Sequence, residues 1–241
     1  MKYGDIIELG RHRLMCGDAT LWEDVMKLVD GAKVDLVLTD PPYGIKSVNE
    51  HSQTIGGKHT SNLTAGKMIN ARKYTPVTGD ENTDTARRNY EVIKDIARKF
   101  IIWGGQFFTD FLPPSYGWIF WDKERNTDKL SFSDGELAYA NTGTRIRKYS
   151  HKWNGFLREG RKDLNEKIHP SQKPVELHMK ILEDFSKPDD VILDCFGGSG
   201  TTLLACELAG RKCLMMEISS DYCDIIKARY EKLTEGRLPL G

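Results

Sequence analysis

Asp40-Pro41-Pro42-Tyr43 sets an acid, two rigid prolines and an aromatic in four consecutive positions. The group follows Val34-Asp35-Leu36-Val37-Leu38-Thr39, an apolar run with the length of a buried strand. It therefore falls at a strand's C-terminal end, where open α/β sheets place their ligand sites. These residue types suit chemistry on a flat, weakly nucleophilic amino group. The exocyclic amine of a nucleobase is such a group, because its lone pair is delocalised into the ring. Asp40 and a neighbouring carbonyl can accept its two N–H bonds and leave the lone pair aimed at an electrophile. Pro41 and Pro42 fix φ and offer carbonyls without competing N–H donors. The Tyr43 ring can stack on the base plane. Taken alone, the four residues also describe a Pro-Pro turn capped by an acid.

A second constellation shifts that balance. Val191-Ile192-Leu193-Asp194-Cys195-Phe196-Gly197-Gly198-Ser199-Gly200-Thr201-Thr202 reads as a strand, a glycine-rich turn and a helix start. The glycines allow close backbone approach to a ligand and φ > 0. A P-loop would need Lys after the glycines, and a dinucleotide fold would want GxGxxG; neither is present. Glu217 ends the next strand, roughly twenty residues on, where an acceptor for ribose hydroxyls belongs. The pattern points to a nucleoside-like cofactor without a pyrophosphate, its amino-acid part held by Asp194 and loop N–H groups.

The elements that must position these residues are regular. The chain has 241 residues, a size that suits one α/β domain. Residues 5–16 read as a hairpin. Helices are predicted at Thr20–Gly31 (with Thr20 and Glu23 as a capping box), at 85–99, to Leu112, and at Pro174–Phe185, Thr201–Ala209 and Ser220–Lys232. Strands are predicted at Phe100–Trp103, Trp118–Trp121, Val191–Leu193 and Cys213–Met216. Strands alternating with helices predict a doubly wound parallel sheet. A polar loop at about 44–82 is expected to be mobile, and a basic insertion at about 123–167 is expected to recognise the target. Five cysteines with no CxxC pair read as reduced, buried residues of a cytoplasmic protein, and no Cys/His spacing supports a metal. No apolar stretch approaches a membrane span.

Net charge is zero, so bulk charge does not announce nucleic acid. Its distribution says more. Residues 145–167 carry eight Lys/Arg against three acids, and residues 46–73 carry five against one. Either run alone is more readily a solvated loop. Two of them around one site predict a phosphate-contacting surface, with Arg145, Arg147 and Lys148 as candidates.

In these motifs the chain resembles the amino-methylating DNA methyltransferases that use S-adenosylmethionine, in the group whose catalytic motif precedes the cofactor motif. Asp40-Pro41-Pro42-Tyr43 resembles the family's DPPY motif, and Asp194 to Thr201 its FxGxG cofactor loop. His169-Pro170-Ser171-Gln172-Lys173-Pro174 is similar to an HPxQKP element that frames the methionine end of the cofactor. Cys16-Gly17-Asp18-Ala19 resembles a GDA-type segment that reaches toward its adenine. Ile119-Phe120-Trp121-Asp122-Lys123 resembles a further family strand. The resemblance spans nearly the whole chain. It implies a Rossmann-like methyltransferase sheet, circularly permuted relative to the commoner order.

The resemblance also implies an activity. A methyl group would pass from S-adenosylmethionine to N6 of an adenine flipped out of double-stranded DNA, leaving S-adenosylhomocysteine. The catalytic residues would be Asp40, Pro41, Pro42 and Tyr43. Asp18, Lys173, Asp194, Phe196, Gly198, Ser199, Gly200, Thr201 and Glu217 would bind cofactor, with no metal and no cysteine nucleophile. N4-cytosine methylation is the alternative, because the family's N4 members more often carry Ser in place of Asp. Methylation of another planar amide or amine, and a non-catalytic DNA-binding module, are further alternatives. A homodimer, a cognate restriction endonuclease and a solitary enzyme all stay open.

Overall fold

The computed structural model describes residues 1–45, 78–124, 133–154, 157–158, 160–161, 164, 168–169 and 171–235. Most of the 44–82 loop and parts of the 123–167 span lie outside these residues, and so do the predictions placed there.

The strands are β1 (Ile6–Leu9), β2 (His12–Cys16), β3 (Leu36–Thr39), β4 (Phe100–Trp103), β5 (Gly117–Asp122), β6 (Gly135–Ala140), β7 (Arg147–Ser150), β8 (Trp153–Asn154), β9 (Leu157–Arg158), β10 (Val191–Asp194) and β11 (Lys212–Glu217). The helices are α1 (Trp22–Val29), α2 (Asp84–Ile93), α3 (Val175–Phe185), α4 (Thr201–Ala209) and α5 (Ser220–Glu235), with one 3₁₀ turn at Gly105–Phe107. Nine strands form one sheet in the order β1-β2-β11-β10-β3-β4-β6-β5-β7.

Neighbours from β2 to β4 run parallel, β6 is reversed between β4 and β5, and β7 is parallel to β5. One edge of the sheet therefore collects the C-terminal ends of β2, β11, β10, β3, β4, β5 and β7, together with the start of β6. The strand leading into Asp40 precedes the strand leading into the glycine loop in the chain, yet β3 and β10 pair side by side. That is the permuted, Rossmann-like order the family resemblance implies.

The strands are apolar on both faces because helices cover both. Along β3, Leu36 and Leu38 join the core cluster that holds Val175, Ile181, Leu203 and Ile226 of α3–α5. Val37, pointing the other way, joins the cluster that holds Val25 and Leu28 of α1 and Ile93 of α2.

Three local expectations fail. No capping box forms at α1: Leu21 is the N-cap, and the Thr20 hydroxyl donates to Asp18 instead (2.8 Å). The helix after β4 is one 3₁₀ turn. Within the 123–167 span, β6 and β7 are strands of the main sheet, and β6 sits at its interior. Pairing of that kind is set by long-range register, which local pattern does not record.

Candidate active site

Asp40 follows β3 at the shared edge. Its Oδ2 accepts a hydrogen bond from the Lys173 ammonium at 2.6 Å, and its Oδ1 accepts one from the Tyr43 hydroxyl. Lys173 also donates to the Tyr43 oxygen at 3.1 Å and lies 3.2 Å from Glu136 Oε2. On its other oxygen Glu136 pairs with Lys123, whose ammonium sits 4.7 Å over the Trp121 ring. Two carboxylates and two ammonium groups thus form a neutral cluster, with the Lys173 side chain only 3% exposed and that of Asp40 17%.

Burial pushes the Asp40 carboxyl up from its ordinary range; Lys173 opposes the shift and Glu136 reinforces it. Burial alone would lower Lys173, but the charges of Asp40 and Glu136 outweigh it and hold the ammonium above its usual value. Burial would likewise raise Glu136, yet Lys173 and Lys123 bring it down to about 2.

Tyr43 stacks on Phe107, with ring centroids 5.4 Å apart and planes 22° apart, to give a two-ring shelf beside Asp40. Phe107 is 40% exposed. Gly104, at φ 72°, lies so close under Tyr43 that a Cβ there would stand 2.3 Å from the ring. Pro41 and Pro42 are buried. Asp80 fixes its exit by accepting the N–H groups of Gly44 (2.8 Å) and Ile45 (3.2 Å).

The glycine loop lies beside this cluster. Gly198 and Gly200 take φ of 51° and 83°, which an L side chain adopts only with strain. Glu217 ends β11 and accepts the Gly198 N–H at 2.7 Å on one oxygen and the Ser219 N–H at 2.8 Å on the other. Each oxygen keeps lone-pair capacity for a further donor. A Cβ on Gly198 would rest on the His169 ring at 3.7 Å, an ordinary van der Waals contact, so the imidazole covers this face of the loop. Phe196 is half-buried beside the loop. The N–H groups of Phe196, Gly197, Gly198 and Gly200 are taken by protein acceptors, so the loop offers shape and the Glu217 lone pairs rather than a row of free N–H donors, contrary to the expectation that loop N–H groups hold a ligand.

Asp194 lies beneath the loop. It accepts the Thr39 hydroxyl (3.0 Å) and the Phe196 N–H (3.1 Å), and burial raises it to about 7. It shapes the turn from below. The Thr201 hydroxyl donates to the Lys173 carbonyl (3.1 Å), stapling the segment before α3 to the start of α4. Ser199 is buried close by. Asp18 accepts from Thr20 at the end of β2, next to Glu217 through the Gly17 N–H (3.1 Å to the Glu217 carbonyl).

The structure thus gathers Asp40, Pro41, Pro42 and Tyr43 in one place, and Phe196, Gly198, Gly200 and Glu217 in another beside it. Lys173, expected near cofactor, projects into the Asp40 cluster. Arg147 pairs with Asp184 at 3.1 Å and Lys148 with Asp122 at 2.7 Å. Arg145 is exposed and precedes β7, at the sheet edge opposite Asp40. The strands of that region are up to six residues long, so the edges are about 17 Å apart at about 3.3 Å per residue.

Glu136, Lys123, Phe107 and Gly104 were missed. Glu136 had a signal, a lone acid in the otherwise apolar run Gly135–Ala140. Gly104-Gly105 marked a break but not its purpose.

The profile of the family described as DNA methylase matches residues 34–228, most of the chain. The chain belongs to that family. M.HpaI, a type II methyltransferase of Haemophilus parainfluenzae, is 24% identical over 257 residues, covering 93% of this chain and 76% of that protein. Among solved structures, the cytosine-N4-specific PvuII DNA methyltransferase superposes with a TM-score of 0.59 at 16% identity, over 97% of this chain and 94% of that one. The M1.HpyAVI–SAM complex gives 0.51 at 22% identity, over 90% and 98%. Both likenesses establish the methyltransferase fold. The family spans N6 and N4 amino-methylases, so membership does not choose the base.

Proposed function

We propose that this DNA methylase transfers a methyl group from S-adenosylmethionine to the N6 amino group of an adenine in double-stranded DNA. The observation that carries the reading is the Asp40 carboxylate, held by Lys173 and Tyr43 beside an aromatic shelf at the mouth of the glycine loop.

Glu217, Phe196 and Gly198 would hold the cofactor, with Asp18 at its adenine end and Asp194, Ser199, Gly200 and Thr201 keeping the loop in shape. When bound, the cofactor supplies a methyl group already activated on a sulfonium. The chain's own part is positioning and electrostatics.

Asp40 is too enclosed to reach a base inside a duplex, so the target must be flipped out, at a cost of a few kcal/mol. The base then lies against Tyr43 and Phe107. A carboxylate offers about four acceptor sites, so Asp40 can keep its bonds to Lys173 and Tyr43 and still accept an amino N–H. The Pro41 carbonyl is the second acceptor. The amine turns acidic only as it alkylates, so Asp40 need not be a strong base beforehand. Cys195, beside the loop, is buried with its thiol pushed up to about 12, which argues against a covalent route through it.

The test is to incubate the purified protein with duplex DNA and labelled cofactor, digest to nucleosides and identify the product by mass spectrometry. N6-methyl-2′-deoxyadenosine is expected, absent with Asp40→Ala although that variant still binds cofactor. An Asp40→Ala protein that turns over near the unaltered rate would sink the assignment. N4-methyl-2′-deoxycytidine would keep the site and correct the base.

A further inference from the structure

Resting on that role for Asp40, we propose that Lys173 is a positioning residue for methyl transfer: clamped between Glu136 and Asp40, it holds the Asp40 carboxylate in place and ionised, and does not bind cofactor. An ammonium has three hydrogens. Lys173 faces three protein oxygens, Asp40 Oδ2 at 2.6 Å, the Tyr43 hydroxyl at 3.1 Å and Glu136 Oε2 at 3.2 Å. The Trp103 and Tyr43 rings close off its flanks at 5.2 and 5.7 Å. Two of its hydrogens are given to Asp40 and Tyr43, and Glu136 Oε2 holds the ammonium as an ion pair without a hydrogen bond, so the charge is compensated by protein groups.

The chain of charges comes from four separate elements: Lys123 after β5, Glu136 at the start of β6, Lys173 before α3 and Asp40 after β3. Lys123 holds one Glu136 oxygen so that the other faces Lys173. Removing one partner would leave a buried charge uncompensated, so the arrangement is stiff. Stiffness is what the reaction needs: Asp40 must only accept, and a protonated carboxyl would turn an O–H toward the amine.

The charged and titratable groups facing Asp40 are Lys173, Glu136, Tyr43 and, from β10, Asp194. Lys173 favours the ionised carboxylate and Glu136 disfavours it. Two substitutions should therefore move the Asp40 titration in opposite directions.

The test compares Lys173→Met and Glu136→Gln. Both are first shown to be folded by thermal melting and to bind S-adenosylhomocysteine in calorimetry. Lys173→Met should bind it within about threefold of the unaltered protein, yet lose kcat by about a hundredfold. The acid limb of its pH–rate profile should rise by a unit or more, and that of Glu136→Gln should fall. Carbon-13 NMR of labelled aspartate carboxyls should show the same opposite shifts at Asp40 without any substrate. If Lys173→Met does not fold, the near-isosteric Glu136→Gln decides alone through the sign of its shift. Loss of cofactor binding in Lys173→Met, or limbs that move together or not at all, would overturn the proposal. An unaltered protein that methylates no DNA would refute the function instead, and the NMR titration would still decide the charge coupling.

Discussion

Gly104→Ala should slow methyl transfer while sparing cofactor binding. A Cβ built on Gly104 lies 2.3 Å from Tyr43 Cε1 and 2.4 Å from Cδ1, whereas ordinary contact begins at 3.4 Å. The Tyr43 ring must move by about 1 Å, and it carries the hydroxyl that bonds Asp40. A displacement of about 1 Å near a reacting group costs about a hundredfold in rate, or about 2.7 kcal/mol of barrier. Alanine at φ 72° also carries a backbone cost of about 1–2 kcal/mol in stability. Gly31 separates the two effects: it has the same φ of 72°, but a Cβ there meets nothing within 4 Å. Steady-state kinetics on duplex DNA, urea denaturation and S-adenosylhomocysteine calorimetry are run on both variants. Both should lose the backbone share of stability, Gly104→Ala should lose about 1–3 kcal/mol more from overpacking against Tyr43, and only Gly104→Ala should lose kcat. A Gly104→Ala protein within threefold of the unaltered kcat, or a Gly31→Ala protein equally slowed, would refute the reasoning.

Glu217→Gln removes a charged acceptor at the proposed ribose position and should weaken S-adenosylhomocysteine by about 10- to 100-fold in calorimetry; unchanged affinity would move the cofactor elsewhere. Asp194 is held at about 7 in the fold against 3.8 as the reference, so the native state keeps a proton that the unfolded chain loses. Its contribution to stability is complete below about pH 4 and declines up to about pH 7. Asp194→Asn should therefore gain about 3 kcal/mol relative to the unaltered protein between pH 5 and pH 8 in urea titrations; a difference that does not vary with pH would contradict the buried-acid reading.

What the sequence made legible were features recorded locally. The strand into Asp40, the glycine loop with α4 and the strand into Glu217 each combine an apolar period with turn punctuation, and the family resemblance their motifs carry implied the permuted sheet. Lys173 was expected near cofactor because it stands close in sequence to the loop, while in the structure its side chain bonds a residue 133 positions earlier. Glu136 was invisible as a partner until β6 paired between β4 and β5 and brought its first turn of residues to the catalytic edge. Arg145, Arg147 and Lys148 were chosen from a charge run, but a run does not state which end of a strand it occupies. The capping box failed for a related reason: Thr20 had a closer acceptor in Asp18.

The central claim is that Asp40 presents a DNA amino group for methylation. Sequencing with base-modification detection tests it most directly, on DNA from cells expressing this chain beside cells expressing Asp40→Ala. A methylated adenine in one recurring motif, absent from the control, is the predicted result. The same mark in both samples would contradict the claim.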